Sequence, residues 1–196
     1  MECWDAVRLT QPSWGHFDLG TGYHGDVWLD LDVLLHRPAF LRQPVRWMAD
    51  RLREHAVDAV CGPLEGGAFL AYAVGDLLAA VFLPGYRTPG ETAGYHLRPA
   101  PGGISGWRVG IVDDAVNAGT AVTACAEALR RQGAVPVAVA SLLPLADAST
   151  TIPDQLGIPL YPTATLPSHT WPTTECPLCT ESISLTPAPA SATGTM

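Results

Sequence analysis

The sequence predicts an α/β fold, a doubly wound parallel sheet, on three observations. Short apolar runs alternate with stretches of helical periodicity between residues 44 and 143. Small-residue turns follow two of those runs, where strands of such sheets hand over to helices. The length, 196 residues, suits one domain of roughly 100–200 residues rather than several.

The elements follow in order. Residues 1–37 carry little helical periodicity, and Asp26-Val27-Trp28-Leu29-Asp30-Leu31 partly alternates apolar with acidic side chains, which predicts a small strand-rich element. From about Pro44 to His55, the apolar residues Val45, Met48 and Leu52 recur at helical spacing, with Pro44 suited to a first turn. A strand over Val57–Cys61, a glycine-rich loop over Gly62–Gly67, a helix over about Ala68–Ala80 and a second strand at Val81–Leu83 come next. Residues 84–106 are rich in Gly and Pro and read as a long loop, of a length that is usually mobile and functional, or disordered. Arg108–Val112 reads as a buried strand, Asn117–Thr120 as a turn, Ala121–Gln132 as a helix stopped by Gly133, and Val135–Leu143 as another apolar strand. After Leu145 the pattern dissolves. The expected organisation is one domain over 1–185, with a core at about 38–145 and a small cap from 1–37 and about 146–185. Residues 186–196 have too little apolar bulk to fold and are expected to be a disordered tail.

Composition excludes several function classes. With 47% hydrophobic and 15% charged residues the chain is too apolar for a disordered protein. No run approaches the ~20 apolar residues of a membrane span, and Met1-Glu2-Cys3-Trp4-Asp5 lacks the basic and apolar regions of a signal peptide. A soluble, cytoplasmic protein with no membrane partner is expected. The formal net charge is −8, and all 11 basic residues are Arg. Such an acidic chain is not expected to bind nucleic acid, which needs clustered cations. An anionic substrate would have to be held by backbone amides, a helix N-terminus, a few Arg or a metal ion. Five scattered Cys do not form a disulfide framework, and Cys61 and Cys125 read as small core residues.

The segment Val109-Gly110-Ile111-Val112-Asp113-Asp114-Ala115-Val116-Asn117-Ala118-Gly119-Thr120-Ala121 carries the chemistry. A strand delivers two adjacent carboxylates to the carboxyl edge of a parallel sheet, where open α/β folds bind ligands. The turn that follows opens a helix, so backbone N–H groups and the Thr120 hydroxyl converge where a phosphate would sit. Carboxylates repel a phosphate unless they face sugar hydroxyls or a metal, and a ribose 5-phosphate satisfies both halves.

At these residues the sequence resembles the type I phosphoribosyltransferases, whose signature is an apolar strand, an acidic pair and a small-residue phosphate loop. The resemblance implies that family's doubly wound fold with a hood from the two terminal segments. It also implies that Asp113 and Asp114 hold the ribose hydroxyls of phosphoribosyl pyrophosphate, while Asn117, Ala118, Gly119, Thr120 and Ala121 hold its 5-phosphate. Two further stretches resemble the orotate branch. Phe17-Asp18-Leu19-Gly20-Thr21-Gly22-Tyr23-His24-Gly25-Asp26 is similar to that branch's hood element, with His24 where a cationic residue often lies near the ligand. Gly62-Pro63-Leu64-Glu65-Gly66-Gly67-Ala68 is similar to its pyrophosphate loop, which places Glu65, Gly66 and Gly67 beside the leaving group.

The chain departs from the branch in three places, one of them Asn117, which stands where the family has its first loop Thr. Arg87 falls where the family's mobile-loop Arg stands, which implies a catalytic role, but Thr88 replaces the Lys that follows it and no Lys exists elsewhere. His96 and Arg98 lie a little further along. The Asp-Arg pair that reads orotate after the last strand is replaced by Pro144-Leu145. The resemblance therefore implies transfer of ribose 5-phosphate from phosphoribosyl pyrophosphate to a nucleobase, orotate first, with Mg²⁺ carried by the donor and a homodimer. Another base such as a purine, or a catalytically weak nucleotide-binding sensor, are the alternatives. A single Cys-x-x-Cys, Cys176 and Cys179, offers half of a zinc site, for which His169, Cys3 or a second subunit would supply the rest; packed thiols are the other reading.

Overall fold

The computed structural model describes residues 10–19, 22–64, 66–91, 94–98, 100 and 102–187. In chain order the elements are β1 (Ser13–Asp18), β2 (Tyr23–Trp28), α1 (Asp32–Leu35), α2 (Pro38–Arg53), β3 (Ala59–Pro63), α3 (Gly66–Leu78), β4 (Val81–Arg87) and β5 (Tyr95–Leu97). They continue with β6 (Arg108–Val116), α4 (Thr120–Arg131), β7 (Val135–Pro144), α5 (Ala148–Leu156), β8 (Leu160–Pro162), β9 (Thr170–Pro172), α6 (Pro177–Thr180) and β10 (Thr186–Pro187).

Six strands form the main sheet in the order β5-β4-β3-β6-β7-β8. Its neighbours pair in parallel except β4 and β5, which are antiparallel. Because successive strand residues point to opposite faces, the apolar strands feed two cores. Ala59, Cys61, Val109 and Ile111 pack with Val122, Cys125 and Leu129 of α4 and Ile152 of α5 on one face. Val60, Val112 and Ala138 pack with Met48 and Leu52 of α2 and Leu70 and Val74 of α3 on the other. The expected doubly wound architecture is thereby met. Among the described residues no helix is long and apolar enough to cross a membrane.

Four expectations about local structure are corrected. Helix α2 starts at Pro38, not Pro44: Pro38 takes the first turn, where a missing N–H is harmless. Pro44 lies inside the helix, and Leu41, Val45, Met48 and Leu52 form one buried stripe across it. Second, part of the 84–106 stretch is sheet. Pro84–Arg87 completes β4, and Tyr95–Leu97 folds back on it as β5. The glycine is required there, since a Cβ on Gly85 would lie 2.8 Å from the Cys125 sulfur. Third, residues 148–162, expected with the cap, complete the main layer instead. Ala148, Ile152 and Leu156 bury one face of α5, and β8 pairs with β7; Pro153 disguised this helix. Fourth, Thr186 and Pro187, expected to open the tail, pair in parallel with Phe17 and Asp18 of β1. Residues 188–196 lie outside the described residues.

A second sheet, in the order β10-β1-β2-β9, is built from residues 13–28 and 170–187. It forms a cap over one end of the main sheet's carboxyl edge, where Leu19, Tyr23 and Thr170 meet the turn after β6.

Leu52 is wholly buried, and Gly110 has no side chain because Leu52 fills that space. Leu52→Ala is expected to lower unfolding stability by about 2–5 kcal/mol, read from the urea midpoint at unchanged slope.

Candidate active site

Strand β6 runs through the middle of the sheet and ends at Asp113 and Asp114. Asp113 is 5% exposed and Asp114 half-buried. Their carboxylates are fixed by the backbone: the Asp114 N–H donates to Asp113 Oδ1 at 3.0 Å, and the Ala115 N–H to Asp114 Oδ1 at 2.8 Å. Among the described residues neither takes part in an ion pair. Burial, then the neighbouring Asp114 charge, pushes the Asp113 carboxyl well above the usual carboxylate range. Burial also raises Asp114, against hydrogen bonds from the backbone and from Asp113 that lower it, and Asp32 adds to the rise.

The next turn reverses direction through Gly119, at φ +76, where a Cβ would collide with Ile152. Helix α4 then begins at Thr120 with no side-chain cap. Its first N–H groups thus face the cavity without an internal acceptor. Asn117, Ala118, Gly119, Thr120 and Ala121 floor a compartment of about 180 Å³, walled by Leu19, Tyr23 and Thr170 of the cap. No bulky side chain fills that floor.

A second compartment of about 640 Å³ adjoins the first and takes in both acids. Gly66 and Gly67, at the start of α3, line it together with Asp30 and Asp32. Both glycines are needed by close approach. A Cβ on Gly66 would strike the Asp114 carboxylate, and one on Gly67 would lie 2.5 Å from Asp113 Oδ1. Arg87, Tyr95, Asp113, Ala115, Asn117 and Ala121 border both compartments, so the cleft is continuous. Arg87 stands at the end of β4 with its guanidinium 5.6 Å from the Tyr95 ring centre. Among the described residues it is the one cation lining the cleft, against Asp30, Asp32, Asp113 and Asp114.

The residues singled out from sequence therefore divide. Asp113, Asp114, Arg87, Gly66, Gly67 and Asn117–Ala121 share the cleft. Glu65 lies outside the described residues. His24 does not line the cleft: strand alternation turns its side chain away from Tyr23's, and it is buried against His16 with ring centres 4.9 Å apart. His96 and Arg98 are also elsewhere, both against the Tyr86 ring. His169 does not join Cys176 and Cys179, because its Nδ1 is 2.8 Å from the Asp26 carboxylate. Cys3 lies outside the described residues. Sequence reasoning missed Tyr23 and Thr170, ordinary strand residues until the cap is folded onto the core, and Tyr95, which reaches the cleft once β5 folds back on β4.

The geometry has counterparts among known proteins. No protein-family model matches the chain. An orotate phosphoribosyltransferase of Caldanaerobacter subterraneus is 30% identical over 171 residues, covering 87% of this chain and 86% of the relative. The solved orotate phosphoribosyltransferase of Aeropyrum pernix superposes with a TM-score of 0.66 at 22% identity, over 82% of this chain and 93% of that one. An adenine phosphoribosyltransferase of Thermoanaerobacter pseudethanolicus superposes with a TM-score of 0.59 at 18% identity, over 71% and 88%. The last two likenesses show that the fold is shared.

The raised Asp113 and Asp114 carboxyls bind protons more tightly in the folded chain than at the unfolded carboxylate value of about 3.9. Stability of the ligand-free protein should therefore fall as pH rises from about 4 toward those raised values. Asp113→Asn removes the main buried charge, so it is expected to flatten this fall and raise Tm at pH 7. Thermal melts of both proteins from pH 4 to 8 check it; a lower Tm for the variant at pH 7 contradicts it.

Proposed function

Since the chain belongs to the orotate phosphoribosyltransferase family, and so is a phosphoribosyltransferase, we propose that it joins orotate to the ribose 5-phosphate of phosphoribosyl pyrophosphate in this cleft. The observation that carries the reading is Asp113 facing the same cavity as the uncapped start of α4, with Asp114 lining the compartment that adjoins it. Asp113 and Asp114 accept hydrogen bonds from the ribose 2- and 3-hydroxyls. The N–H groups of the Asn117–Ala121 turn donate to the 5-phosphate, and the helix dipole favours its charge. Gly66 and Gly67 leave the larger compartment open beside the acids for the pyrophosphate.

Transfer of a glycosyl group passes through an oxocarbenium-like sugar, with positive charge on the ring and negative charge on the departing group. The buried carboxylates then lie beside developing positive charge, which strengthens their interaction in the transition state. Arg87 serves the departing pyrophosphate. The cap residues Leu19, Tyr23 and Thr170 cover the smaller compartment and exclude water from the reacting sugar.

We also assign Mg²⁺ to the donor complex. Among the described residues four carboxylates and one guanidinium line the cleft, so a polyanion enters favourably only with a divalent cation. Mg²⁺ carried by the donor would supply neutralisation of leaving-group charge, and Asp30 and Asp32, which line the larger compartment, are the further carboxylates that would hold it.

Two observations favour a second reading, an uncharged base. Orotate's carboxylate needs a cation, yet Leu145 stands where an Arg was expected and His24 faces away from the cleft. Pyrophosphate release from donor, Mg²⁺ and a panel of bases separates the readings: turnover with orotate supports the first, turnover with a purine alone the second. Donor binding without turnover on any base identifies a sensor instead. Asp113→Asn/Asp114→Asn is expected to abolish calorimetric binding of the donor while circular dichroism stays unchanged. Unaltered affinity would refute the assignment.

A homodimer belongs to the same reading. Phe69 and Tyr72, three residues apart on α3, are 67% and 65% exposed beside an apolar groove that also takes in Leu41 and Val45. Two aromatic side chains on one exposed face suit a self-complementary contact. Phe69→Glu/Tyr72→Glu is expected to halve the mass seen by light scattering; a monomeric parent protein would exclude the dimer.

A further inference from the structure

We propose that His16, His24, Cys176 and Cys179 bind one structural Zn²⁺ that fastens the two halves of the cap together. One potential ligand atom from each of the four side chains lies within 4.8 Å of the other three. His16 Nε2 is 3.0 Å from His24 Nδ1, 3.4 Å from the Cys176 sulfur and 3.7 Å from the Cys179 sulfur. The Cys179 sulfur is 3.3 Å from His24 Nδ1. With Zn–N of about 2.0–2.1 Å and Zn–S of about 2.3 Å, a tetrahedral centre sets N···N, N···S and S···S edges of about 3.3, 3.6 and 3.8 Å. Four of the six edges are observed within about 0.3 Å of these values, and the two remaining, from the Cys176 sulfur to the Cys179 sulfur and to His24, lie within 4.8 Å.

Hydrogen bonding alone does not account for the cluster. His16 Nδ1 lies 2.8 Å from the Ile183 carbonyl oxygen, which only accepts, so Nδ1 carries the proton. Neutral His16 then has a bare lone pair on Nε2 pointing into the cluster. Three polar atoms crowd that single lone pair, and at most one of them donates to it well. A cation resolves the conflict by accepting all four lone pairs at once. The Ile183 carbonyl is also the kind of outer partner that fixes the tautomer and orientation of a zinc-bound imidazole.

The surroundings agree with a structural role. His16 and His24 are 2% and 7% exposed and Cys176 is 2% exposed, while Cys179 is exposed and gives the ion a way in. Two thiolates and two imidazoles make a closed site with no place for a substrate. A two-iron cluster would place the Cys pair and the His pair on separate irons, whereas here the Cys179 sulfur and both imidazoles are mutual neighbours. Ligands from β1 and β2 meet ligands flanking and within α6, so the ion joins the N-terminal hairpin to the C-terminal segment. His24 follows Tyr23 and pairs with Trp171, next to Thr170, so the ion stands directly behind the wall of the smaller compartment.

The test uses the full chain expressed with added zinc, and its readouts do not depend on turnover. Elemental analysis is expected to find about one zinc per chain, and Co²⁺ reconstitution to give tetrahedral ligand-field bands with thiolate charge transfer. Cys179→Ser, at the exposed position, is expected to lose metal while remaining folded; Cys176→Ser and His16→Ala should lose it too. Stripping the ion with a chelator should lower Tm by about 10 °C or more, reversibly on adding zinc. Cys125→Ala, in the sheet core, should keep full metal content. A folded parent protein with less than about 0.2 zinc per chain even after incubation with zinc, or equal metal content in the parent and Cys179→Ser, overturns the site.

Discussion

Everything in this molecule is arranged around two adjacent carboxylates held at the end of a central strand, where water is scarce. Asp113 and Asp114 are unfavourable there as charges, and their raised proton affinities express it. The fold tolerates them because β6 has neighbours on both sides, two backbone N–H groups hold their oxygens, and Gly66 and Gly67 bring no side chains into the space they occupy. Stability is surrendered at the sheet edge, and in the proposed reading a ligand bearing hydroxyls and developing positive charge recovers it.

Around that pair, the chain separates jobs by element. The sheet and its two helical layers fix the acids and the amide-lined turn. The cap adds Leu19, Tyr23 and Thr170, which shape the smaller compartment without supplying charge. Electrostatically the described lining of the cleft is strongly acidic; in the proposed reading its anion affinity comes from oriented N–H groups, Arg87 and a cation that travels with the ligand. A chain without a single Lys can therefore handle a phosphorylated sugar. The backbone does work that a basic side chain would otherwise do.

Much of this was legible before any coordinates, for local reasons. The acidic pair, the turn and the helix after it are consecutive in the chain, so Asp113–Ala121 announced the local structure and its place at one cleft. Arg87, Gly66 and Gly67 were found through their place in an ordered series of motifs. What escaped depended on contacts between distant segments. His24 was read as a ligand contact because polarity alone does not say which face of a strand a residue takes. Its partners, Cys176 and Cys179, lie 150 residues away or more, and His16 carried no motif at all. Pro44, Pro84 and Pro153 each concealed an element, since a proline inside an otherwise good helix or strand looks like its end until tertiary packing outweighs the lost hydrogen bond.

The cap's make-up has a consequence for biosynthesis. His16 and Cys176 are 160 residues apart, and a ribosome adding about 5–20 residues per second needs on the order of ten to thirty seconds to span that gap. Throughout that interval the hairpin of β1 and β2 waits with unmatched edges while the six-stranded layer has all its residues ahead of β9. The nascent chain thus acquires its Asn117–Ala121 turn early and the roof above it late.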